Sequence, residues 1–357
     1  MSVHDAEAMA RRFVGPGEAS SVVPFVGGHI NASYLIAIDD RPRLLLQRLN
    51  EHVFPRPELV AENVERVVDH AAAADDAQPL VPRLARSAGG GRHLRDATGG
   101  WWRAWEIVED AETRQAPSRT EEAYDAAHAF AELQRRLVTL PGPRLAEPIA
   151  GFHDTPARLR AFEHAVEHDA AGRAAAVSAE ISALVDRAAL AAALAGAQGD
   201  GTLRERIVHN DAKLANVLFD ARSGAVRCVV DLDTVMPGLG PHDFGDMVRS
   251  MAADAAEDEP DASRVVVRSE FVEALAAGYL AGIGPLATTG ERALLLTAAK
   301  VITYEQALRF LGDHLAGDRY YRVSHPGQNL DRARTQIALL ASLEAQTAEL
   351  ERRIAAC

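Results

Sequence analysis

Four polar residues lie close together in the stretch "IVHNDAKLANVLFD", residues 207–220: His209, Asp211, Lys213 and Asn216. Apolar residues flank them on both sides, which predicts a polar loop between two short strands. Loops between rigid elements often carry functional residues. A carboxylate such as Asp211 is suited to accept a proton from an attacking hydroxyl. Taken alone, the stretch is equally compatible with an ordinary surface loop.

A second strand is predicted within "VRCVVDLDTVMPG", residues 226–238, and the Ser-Gly step at 223–224 predicts a tight turn between the two strands. An antiparallel hairpin centred on that turn would place Asn216 opposite Asp231. An amide oxygen beside a carboxylate suits Mg²⁺, which prefers oxygen ligands. Strand alternation would also put Asp231 and Asp233 on one side of the hairpin.

The combined pattern, H-x-D-x-x-x-x-N followed by D-x-D, contains the parts that phosphoryl transfer needs. Asp211 would be the catalytic base, Asn216 and Asp231 would hold metal ions that bridge the phosphates, and Asp233 would be a second metal ligand or a substrate contact. His209 is expected to anchor the loop. Lys213 would either contact phosphate or remain solvated.

Composition limits the remaining functions. The 357 residues suggest two domains or one large two-lobed domain, and the net charge of -13 argues against a nucleic-acid binder. Two cysteines fit a reducing cytosol, and the N-terminus shows no signal peptide. The alanine-rich stretch 174–197 carries three charges, so we interpret it as a buried helix and not a membrane span. We therefore expect a cytoplasmic protein without a membrane partner.

The order of elements predicts an α+β fold. The first hundred residues are mostly β, with strands within 21–48, a helix within 57–74 and an aromatic strand that follows a glycine-rich turn. From about residue 119 the pattern is helical, apart from 207–235. We expect a small β-rich N-terminal lobe, residues 1–107, and a larger, mostly helical C-terminal lobe, residues 108–357.

The segments "HNDAKLANVLFD" and "VVDLDTVMPGLGPHDFGD" resemble the aminoglycoside phosphotransferase and choline kinase superfamily, whose fold is protein-kinase-like. More narrowly, "VGGHINASYLI", "LLLQRLNEHVF" and "ALRFLGDHLAGDRYYRVSHPGQNLDRARTQ" resemble the N-acetylhexosamine 1-kinases. Those enzymes phosphorylate the anomeric hydroxyl of N-acetylglucosamine or N-acetylgalactosamine. The resemblance covers residues 22–345 and implies ATP as phosphoryl donor and Mg²⁺ as cofactor. The sequence does not determine whether the phosphoryl donor is ATP or GTP, or whether the protein is a monomer or a homodimer.

The resemblance also implies roles in nucleotide binding. Gly27 and Gly28 match the loop that covers the nucleotide, because glycine lets backbone approach phosphate. The third strand usually presents a lysine to the phosphates; here Arg48 is the candidate, and Gln47 is the competing alignment. The helix carboxylate that pairs with this cation would be Glu62 or Glu65. The segment 105–110 matches the hinge, where the backbone of Glu106 and Val108 would hold adenine.

Other residues are implied in substrate binding or in bracing. Arg309 is a candidate sugar contact, although Glu305 at i−4 makes a surface ion pair the alternative. Tyr320 could stack on a sugar face or close the core, and His29 could reach a sugar hydroxyl. The family resemblance further implies that Asp243, with Asp246, braces the catalytic loop.

Three functions remain in competition. The first is a sugar 1-kinase that acts on an N-acetylhexosamine or a close analogue. The second is a kinase for another hydroxyl compound, such as an aminoglycoside antibiotic, with which the acidic net charge is compatible. The third is a non-catalytic protein that binds nucleotide, which the intact Asp211, Asn216 and Asp231 argue against.

Overall fold

A computed structural model describes residues 3–15, 19–26, 30–73 and 79–357. The chain divides into two compact units. The first lobe comprises Met1–Glu112, Thr139–Ala150 and Leu218–Pro237, and the second lobe comprises Thr113–Val138, Gly151–Val217 and Gly238–Cys357. The first lobe contains an antiparallel sheet, and the second is mostly helical. The expected α+β fold class, with a small β-rich lobe and a larger helical lobe, is confirmed.

The sheet of the first lobe has five antiparallel strands in the order β1-β2-β3-β5-β4. Their bounds are β1 Ala19–Phe25, β2 Ala32–Ile38, β3 Arg41–Arg48, β4 His93–Arg95 and β5 Trp101–Glu106. The expected strands within 21–48 and the aromatic strand are present. Alternating residues such as Ile36, Leu46 and Trp102 are fully buried, where they share a core with Met9 and Phe13 of helix α1 (Val3–Val14).

Helix α2 (Pro57–Ala72) forms where the periodicity predicts it, with Val60, Val64 and Val67 on its buried face. Proline at its first position has the backbone angle that a helix start requires. A smaller sheet has the order β6-β8-β9 and belongs to the first lobe apart from Thr113 and Val217. Its strands are β6 Ala111–Thr113, β8 Val217–Asp220 and β9 Val226–Val229.

The β8–β9 turn differs from the expected register. The backbone N–H of Asp220 donates to Ala225 O at 2.8 Å, whereas the expected register places Asp220 opposite Arg227. The reason is local: the Asp220 carboxylate accepts hydrogen bonds from the backbone N–H groups of Arg222 and Ser223, which closes a wider loop. Gly224 lies in this loop with φ of 73°.

The expected alternation along residues 231–233 is also wrong. Strand β9 ends at Val229, and Asp231 has φ of 59°, in the left-handed region. The next residues, Leu232–Thr234, form a single 3-10 turn. Asp231 and Asp233 are therefore presented by a turn and not by one face of a strand.

The second lobe is built from nine α-helices and short strands. Its helices are α3 Thr120–Leu137, α4 Thr155–His168, α5 Ser178–Val185, α6 Ala193–Gly199, α7 Gly240–Met251, α8 Ser269–Ile283, α9 Thr289–Ala316, α10 Gln328–Ala345 and α11 Thr347–Ala355. Strand β7 (Glu205–Val208) pairs with β10 (Met236–Leu239), whose last two residues belong to this lobe. Helix α9 has 28 residues and packs against α4, α7 and α10, so it is the central helix of this lobe.

Close helix packing positions the elements of the site. Helices α3 and α8 approach so closely that a Cβ at Gly278 would collide with Tyr124 O, and a Cβ at Gly282 would collide with His128 O. Helix α7 approaches α9 in the same way, because a Cβ at Gly245 would lie 2.6 Å from Ala298 O. Helix α7 is thus fixed on the central helix, which matters because α7 holds the loop that carries Asp211.

The alanine-rich stretch 174–197 does not form one helix as expected. It contains two 3-10 segments, Ala174–Val177 and Ala188–Ala192, alternating with α5 and the start of α6. Arg187 accounts for one break, because it donates to Ala183 O at 2.7 Å and to the Glu344 carboxylate of α10 at 2.8 Å. In the part of the chain that the structure describes, no helix is long and apolar enough to cross a membrane.

Candidate active site

Asp243 of α7 holds the loop after β7 in place by hydrogen bonds. The Asp243 carboxylate accepts hydrogen bonds from the backbone N–H groups of His209 at 2.9 Å and Asn210 at 2.7 Å, and from Gln134 Nε2 at 2.7 Å. Asn210 has φ of 65°, which asparagine tolerates better than most residues. Asp243 is completely buried, so burial raises its pKa, against the effect of His209 and of its donors. The structure supports the bracing role expected for Asp243.

Asp246 contributes differently. Its carboxylate accepts from Arg249 Nε at 2.7 Å, and both side chains are more than nine-tenths buried. The interaction joins two turns of α7 and does not reach the catalytic loop. The expected bracing therefore rests on Asp243 alone among these two residues.

Asp211 is surrounded by hydrogen-bond donors. Lys213 Nζ lies 2.8 Å from Asp211 Oδ2, and Asn216 Nδ2 lies 2.9 Å from the same oxygen. Burial acts to raise the pKa of Asp211, but the charges of Lys213 and His209 and the donor from Asn216 together hold it below its usual value. Asp211 is therefore ionised at neutral pH, as a proton acceptor must be.

Asn216 has the orientation that a metal ligand needs. Both hydrogens of its amide point to Asp211, because Nδ2 donates to Asp211 O at 2.8 Å and to the carboxylate. This fixes the amide orientation and leaves Oδ1, the oxygen that would bind a hard cation, without a donor among the described residues. The donor set thus fits Mg²⁺ at Asn216. Lys213 forms an ion pair with the Asp211 carboxylate.

Asp233 is bound within the first lobe. Its Oδ1 forms an ion pair with Arg103 Nη1, and its Oδ2 accepts from Asn31 Nδ2 at 2.7 Å. The side chains of Arg103 and Asp233 are both almost inaccessible to solvent. The expectation of Asp233 as a metal ligand or substrate contact is not supported, because both oxygens are already occupied. Asp231 comes two residues earlier, at the left-handed position after β9.

The predicted phosphate-binding cation, Arg48, forms an ion pair with a different carboxylate from the one expected. Its Nε is 3.4 Å from Asp96 Oδ2 in the first lobe, and it is not paired with a carboxylate of α2. Gln47, the competing residue, accepts from Arg103 Nε and Nη2 at 3.1 and 2.9 Å and from Trp105 Nε1 at 2.8 Å. The buried cation on this face of the sheet is therefore Arg103 of β5.

Sequence reasoning missed Arg103. The signal that would identify it is cross-strand pairing, because Arg103 is the register partner of Gln47, and that pairing is seen only in the structure. The two α2 carboxylates do not meet Arg48: Glu62 is exposed, and Glu65 accepts from His93 Nδ1 at 2.6 Å. The predicted pairing of Arg48 with Glu62 or Glu65 is not formed.

The remaining nucleotide-binding residues are placed as follows. Glu106 is the last residue of β5 and its side chain is exposed, while its backbone N–H donates to Arg83 O at 2.9 Å. Val108, two residues later, is half-buried. Gly27, Gly28 and His29 lie outside the described residues. The adenine contacts and the glycine loop therefore remain predictions.

The second lobe contains a cavity of about 470 Å³ between α4, α9 and the segment after α9. Arg309 and Tyr320, both predicted substrate contacts, line it together with Tyr321 and Phe162. The Arg309 guanidinium lies 5.8 Å from the ring centre of Tyr320 and 5.5 Å from that of Tyr321. Arg309 Nη1 also donates to Gln306 Oε1 at 3.1 Å. The structure thus brings Arg309 and Tyr320 to one cavity.

Glu305 is not the surface partner of Arg309 that i,i+4 spacing allows. It is buried and accepts from His153 Nδ1 at 2.8 Å and from Thr155 Oγ1 at 2.7 Å. Burial acts to raise the pKa of Glu305, but His153, Arg309 and Thr155 lower it to about 2. Glu305 is therefore a buried anion whose hydrogen-bond capacity is largely used by α4 and the residues before it.

A pair of histidines connects Glu305 of α9 with α7. The rings of His153 and His242 have centres 4.8 Å apart, and His242 stands beside Asp243, the residue that clamps the catalytic loop. Leu239 donates its N–H to His242 Nδ1 at 3.4 Å. Burial, together with the charge of His153, lowers the pKa of His242 to about 3, so its ring is neutral at neutral pH. Glu305 of α9 and the helix that holds the loop of Asp211 are thus linked through the packed rings of His153 and His242.

Residues 21–295 match the family model described as "Phosphotransferase enzyme family". The fold is similar to that of an aminoglycoside phosphotransferase from Alicyclobacillus acidocaldarius, with TM-score 0.63, 14% identity, and coverage of 98% of this chain and 96% of that one. Choline kinase LicA from Streptococcus pneumoniae matches with TM-score 0.60, 13% identity, and coverage of 95% and 99%. A microcompartment-associated aminopropanol kinase matches with TM-score 0.58, 16% identity, and coverage of 99% and 100%.

The likeness to these structures shows a shared kinase-like fold. The family match covers most of the chain and includes the catalytic loop and the segment of Asp231. The chain therefore belongs to the phosphotransferase enzyme family and is a small-molecule phosphotransferase.

Proposed function

We propose that this phosphotransferase transfers the γ-phosphoryl group of ATP to the anomeric hydroxyl of an N-acetylhexosamine, such as N-acetylglucosamine or N-acetylgalactosamine. The observation that supports a catalytic protein is the state of Asp211. It is ionised, oriented by Lys213 and Asn216, and carried on a loop that Asp243 holds through two backbone N–H groups. The sugar acceptor rests on the sequence resemblance and on the cavity of Arg309.

In this proposal Asp211 orients the anomeric hydroxyl and accepts its proton as the oxygen attacks the γ-phosphorus. Lys213 keeps Asp211 ionised before the attack, because its charge lowers the pKa of the carboxyl, and it would hold the carboxylate in place. Mg²⁺, when bound, would neutralise the charge of the phosphates, and Asn216 Oδ1 and the Asp231 carboxylate would hold it. Asp231 is assigned this role from the sequence pattern.

Arg309 would hold sugar oxygens on the cavity side of the acceptor. Its guanidinium presents donors in a fixed fork that can bind two oxygens at once. Tyr320, which is exposed at the cavity, would cover one face of the ring. His29 remains a predicted sugar contact. Asp233 is not included, because Arg103 and Asn31 occupy its oxygens.

The experiment is an ADP-release assay with ATP and Mg²⁺ over N-acetylglucosamine, N-acetylgalactosamine, glucose, choline and an aminoglycoside. Phosphorus NMR of the product would identify the phosphorylated position, and Asp211→Asn is the control for background ADP release. Turnover of an N-acetylhexosamine to its 1-phosphate supports the proposal. Turnover of the aminoglycoside or choline with no reducing sugar would overturn it.

A further inference from the structure

Two arginines line the cavity of the second lobe, Arg158 of α4 and Arg309 of α9. Asp313 is the carboxylate among the lining residues. Whether a ligand in the cavity can reach a carboxylate oxygen depends on what the nearby carboxylates bind.

Asp313 has little capacity left for a ligand. Its Oδ1 accepts from the backbone N–H groups of Arg319 at 2.9 Å and Tyr320 at 2.8 Å. Its Oδ2 accepts from the backbone N–H of Tyr321 and from Asn329 Nδ2, both at 2.9 Å. Asp313 thus fixes the segment that follows α9, and all its hydrogen bonds point into the protein.

Glu305 behaves in the same way. Its two oxygens face His153 and Thr155, and it does not line the cavity. The described lining residues therefore offer a cationic acceptor no carboxylate with a free oxygen, and its other partners would be the aromatic rings. An ammonium group placed here would also meet two guanidinium groups.

The Arg158 guanidinium has an unused donor. Its Nη2 donates to Phe152 O at 3.0 Å, while its Nε is buried without a hydrogen-bond partner. Burial lowers the pKa of Arg158 and the charge of Arg309 lowers it further, whereas Glu305, Tyr321 and Tyr320 act to raise it. Two partly desolvated guanidinium groups on one cavity are the arrangement that binds an oxyanion.

We propose that Arg158 and Arg309 form an oxyanion subsite of the acceptor cavity, so that this enzyme prefers sugars that carry a sulfate, phosphate or carboxylate group over neutral ones and discriminates against amines. The inference rests on the proposed sugar-kinase function and names the charge class of its acceptor. The net charge of -13 does not oppose it, because the local charge of the cavity decides which substituent is bound.

The test compares N-acetylglucosamine with its 6-sulfate, which adds one negative charge to the same sugar, and with glucosamine, in which a protonated amine replaces the acetamide. Binding is measured by calorimetry without nucleotide in the wild type, in Arg158→Gln and in Arg160→Gln. Arg160 is the matched control, because it is an exposed arginine on the same helix that does not line the cavity. Circular dichroism and thermal unfolding verify that each variant is folded, and Arg158→Lys provides a milder change.

We expect the 6-sulfate to bind at least about tenfold more tightly than the neutral sugar, since charge-assisted hydrogen bonds are the strong ones. Arg158→Gln should abolish that preference, Arg158→Lys should retain part of it, and Arg160→Gln should leave it intact. Equal affinity for the three sugars in the wild type, or a preference that survives Arg158→Gln, would overturn the proposal.

A sugar-free measurement separates this inference from the proposed function. Inorganic sulfate should raise the thermal midpoint of the wild type more than that of Arg158→Gln, at an ionic strength matched with sodium chloride. If no sugar is phosphorylated but this difference is seen, the sugar-kinase proposal fails and the oxyanion site stands. If N-acetylglucosamine is phosphorylated but sulfate has no specific effect, the oxyanion site fails alone.

Discussion

Asp211→Asn is the most direct test of the catalytic assignment. Asparagine has nearly the same shape, and its Oδ1 can still accept from Lys213 Nζ and Asn216 Nδ2. What it loses is the ability to take a proton, and a positioned general base contributes about 10²–10⁴ in rate. We therefore expect kcat to fall by that factor, about 2.7–5.4 kcal/mol of transition-state stabilisation.

The loss of stability should be much smaller than the loss of rate. Asp211 and Lys213 are about a quarter to a third exposed, so solvent screens their ion pair, which is worth less than about 1 kcal/mol. The thermal midpoint should change by at most about 4 °C. Nucleotide binding, measured by calorimetry with ADP and Mg²⁺, should be retained.

A matched substitution at a second aspartate tests whether the loss of rate is specific to Asp211. Asp220→Asn changes an aspartate in the β8–β9 turn that binds local backbone N–H groups, and its kcat should stay close to that of the wild type. Steady-state ADP release at saturating acceptor gives kcat for both variants. Near-native turnover in Asp211→Asn, with folding intact, would refute the assignment of the base.

Four further results are expected. Asn216→Ala should raise the Mg²⁺ concentration needed for half-maximal rate, because it removes the Oδ1 ligand; an unchanged Mg²⁺ titration would contradict this role. Lys213→Met should raise the pKa of Asp211 and move the acid limb of kcat/KM to higher pH, since the lysine charge lowers that pKa; an unmoved limb would show that Lys213 does not tune the base. Arg309→Ala should raise KM for the sugar more than KM for ATP, and Arg309→Lys should restore only part of the difference, because an ammonium cannot replace the guanidinium fork. Folding lowers the pKa of His242 to about 3, whereas it is about 6.5 in the unfolded chain. The unfolded chain therefore binds the proton more readily, so the contribution of His242 to stability is present above about pH 6.5 and is lost as pH falls towards 3. His242→Asn should therefore reduce the pH dependence of unfolding over this window, and an identical dependence in denaturant melts would argue against it.

Local patterns in the sequence predicted much of the fold correctly. The apolar runs that predict the strands within 32–48 and the helical period along 57–72 are each contained in one element, so no information from distant segments is needed. The polar loop around Asp211 was predicted for the same reason, since apolar residues on both sides limit where it can begin and end. Its clamp by Asp243 followed from the family resemblance, because residues 34 apart give no local signal.

The errors arose where a side chain overrides a local pattern. Helical propensity is high throughout 174–197, but alanine buries little apolar area, and Arg187 ends α5 by bonding across to Glu344. In the β8–β9 hairpin, the Asp220 carboxylate holds the turn more widely than a two-residue loop would. Both cases require knowledge of a specific side-chain hydrogen bond, which residue spacing does not contain.

Arg103 shows the same limit at the site itself. The resemblance directed attention to β3, where the family presents a cation, and the basic residue available there was Arg48. Alternation along β3 puts Arg48 and Gln47 on opposite faces, so only one of them can face the buried cluster that holds Asp233. Gln47 faces it, and the cation comes from its register partner Arg103 on β5. The buried positive charge on this face of the sheet is supplied by β5, and the carboxylate that neutralises it, Asp233, comes from the segment after β9. A single sequence compared strand by strand with a family pattern misses this arrangement, and cross-strand pairing of β3 with β5 is the information that reveals it.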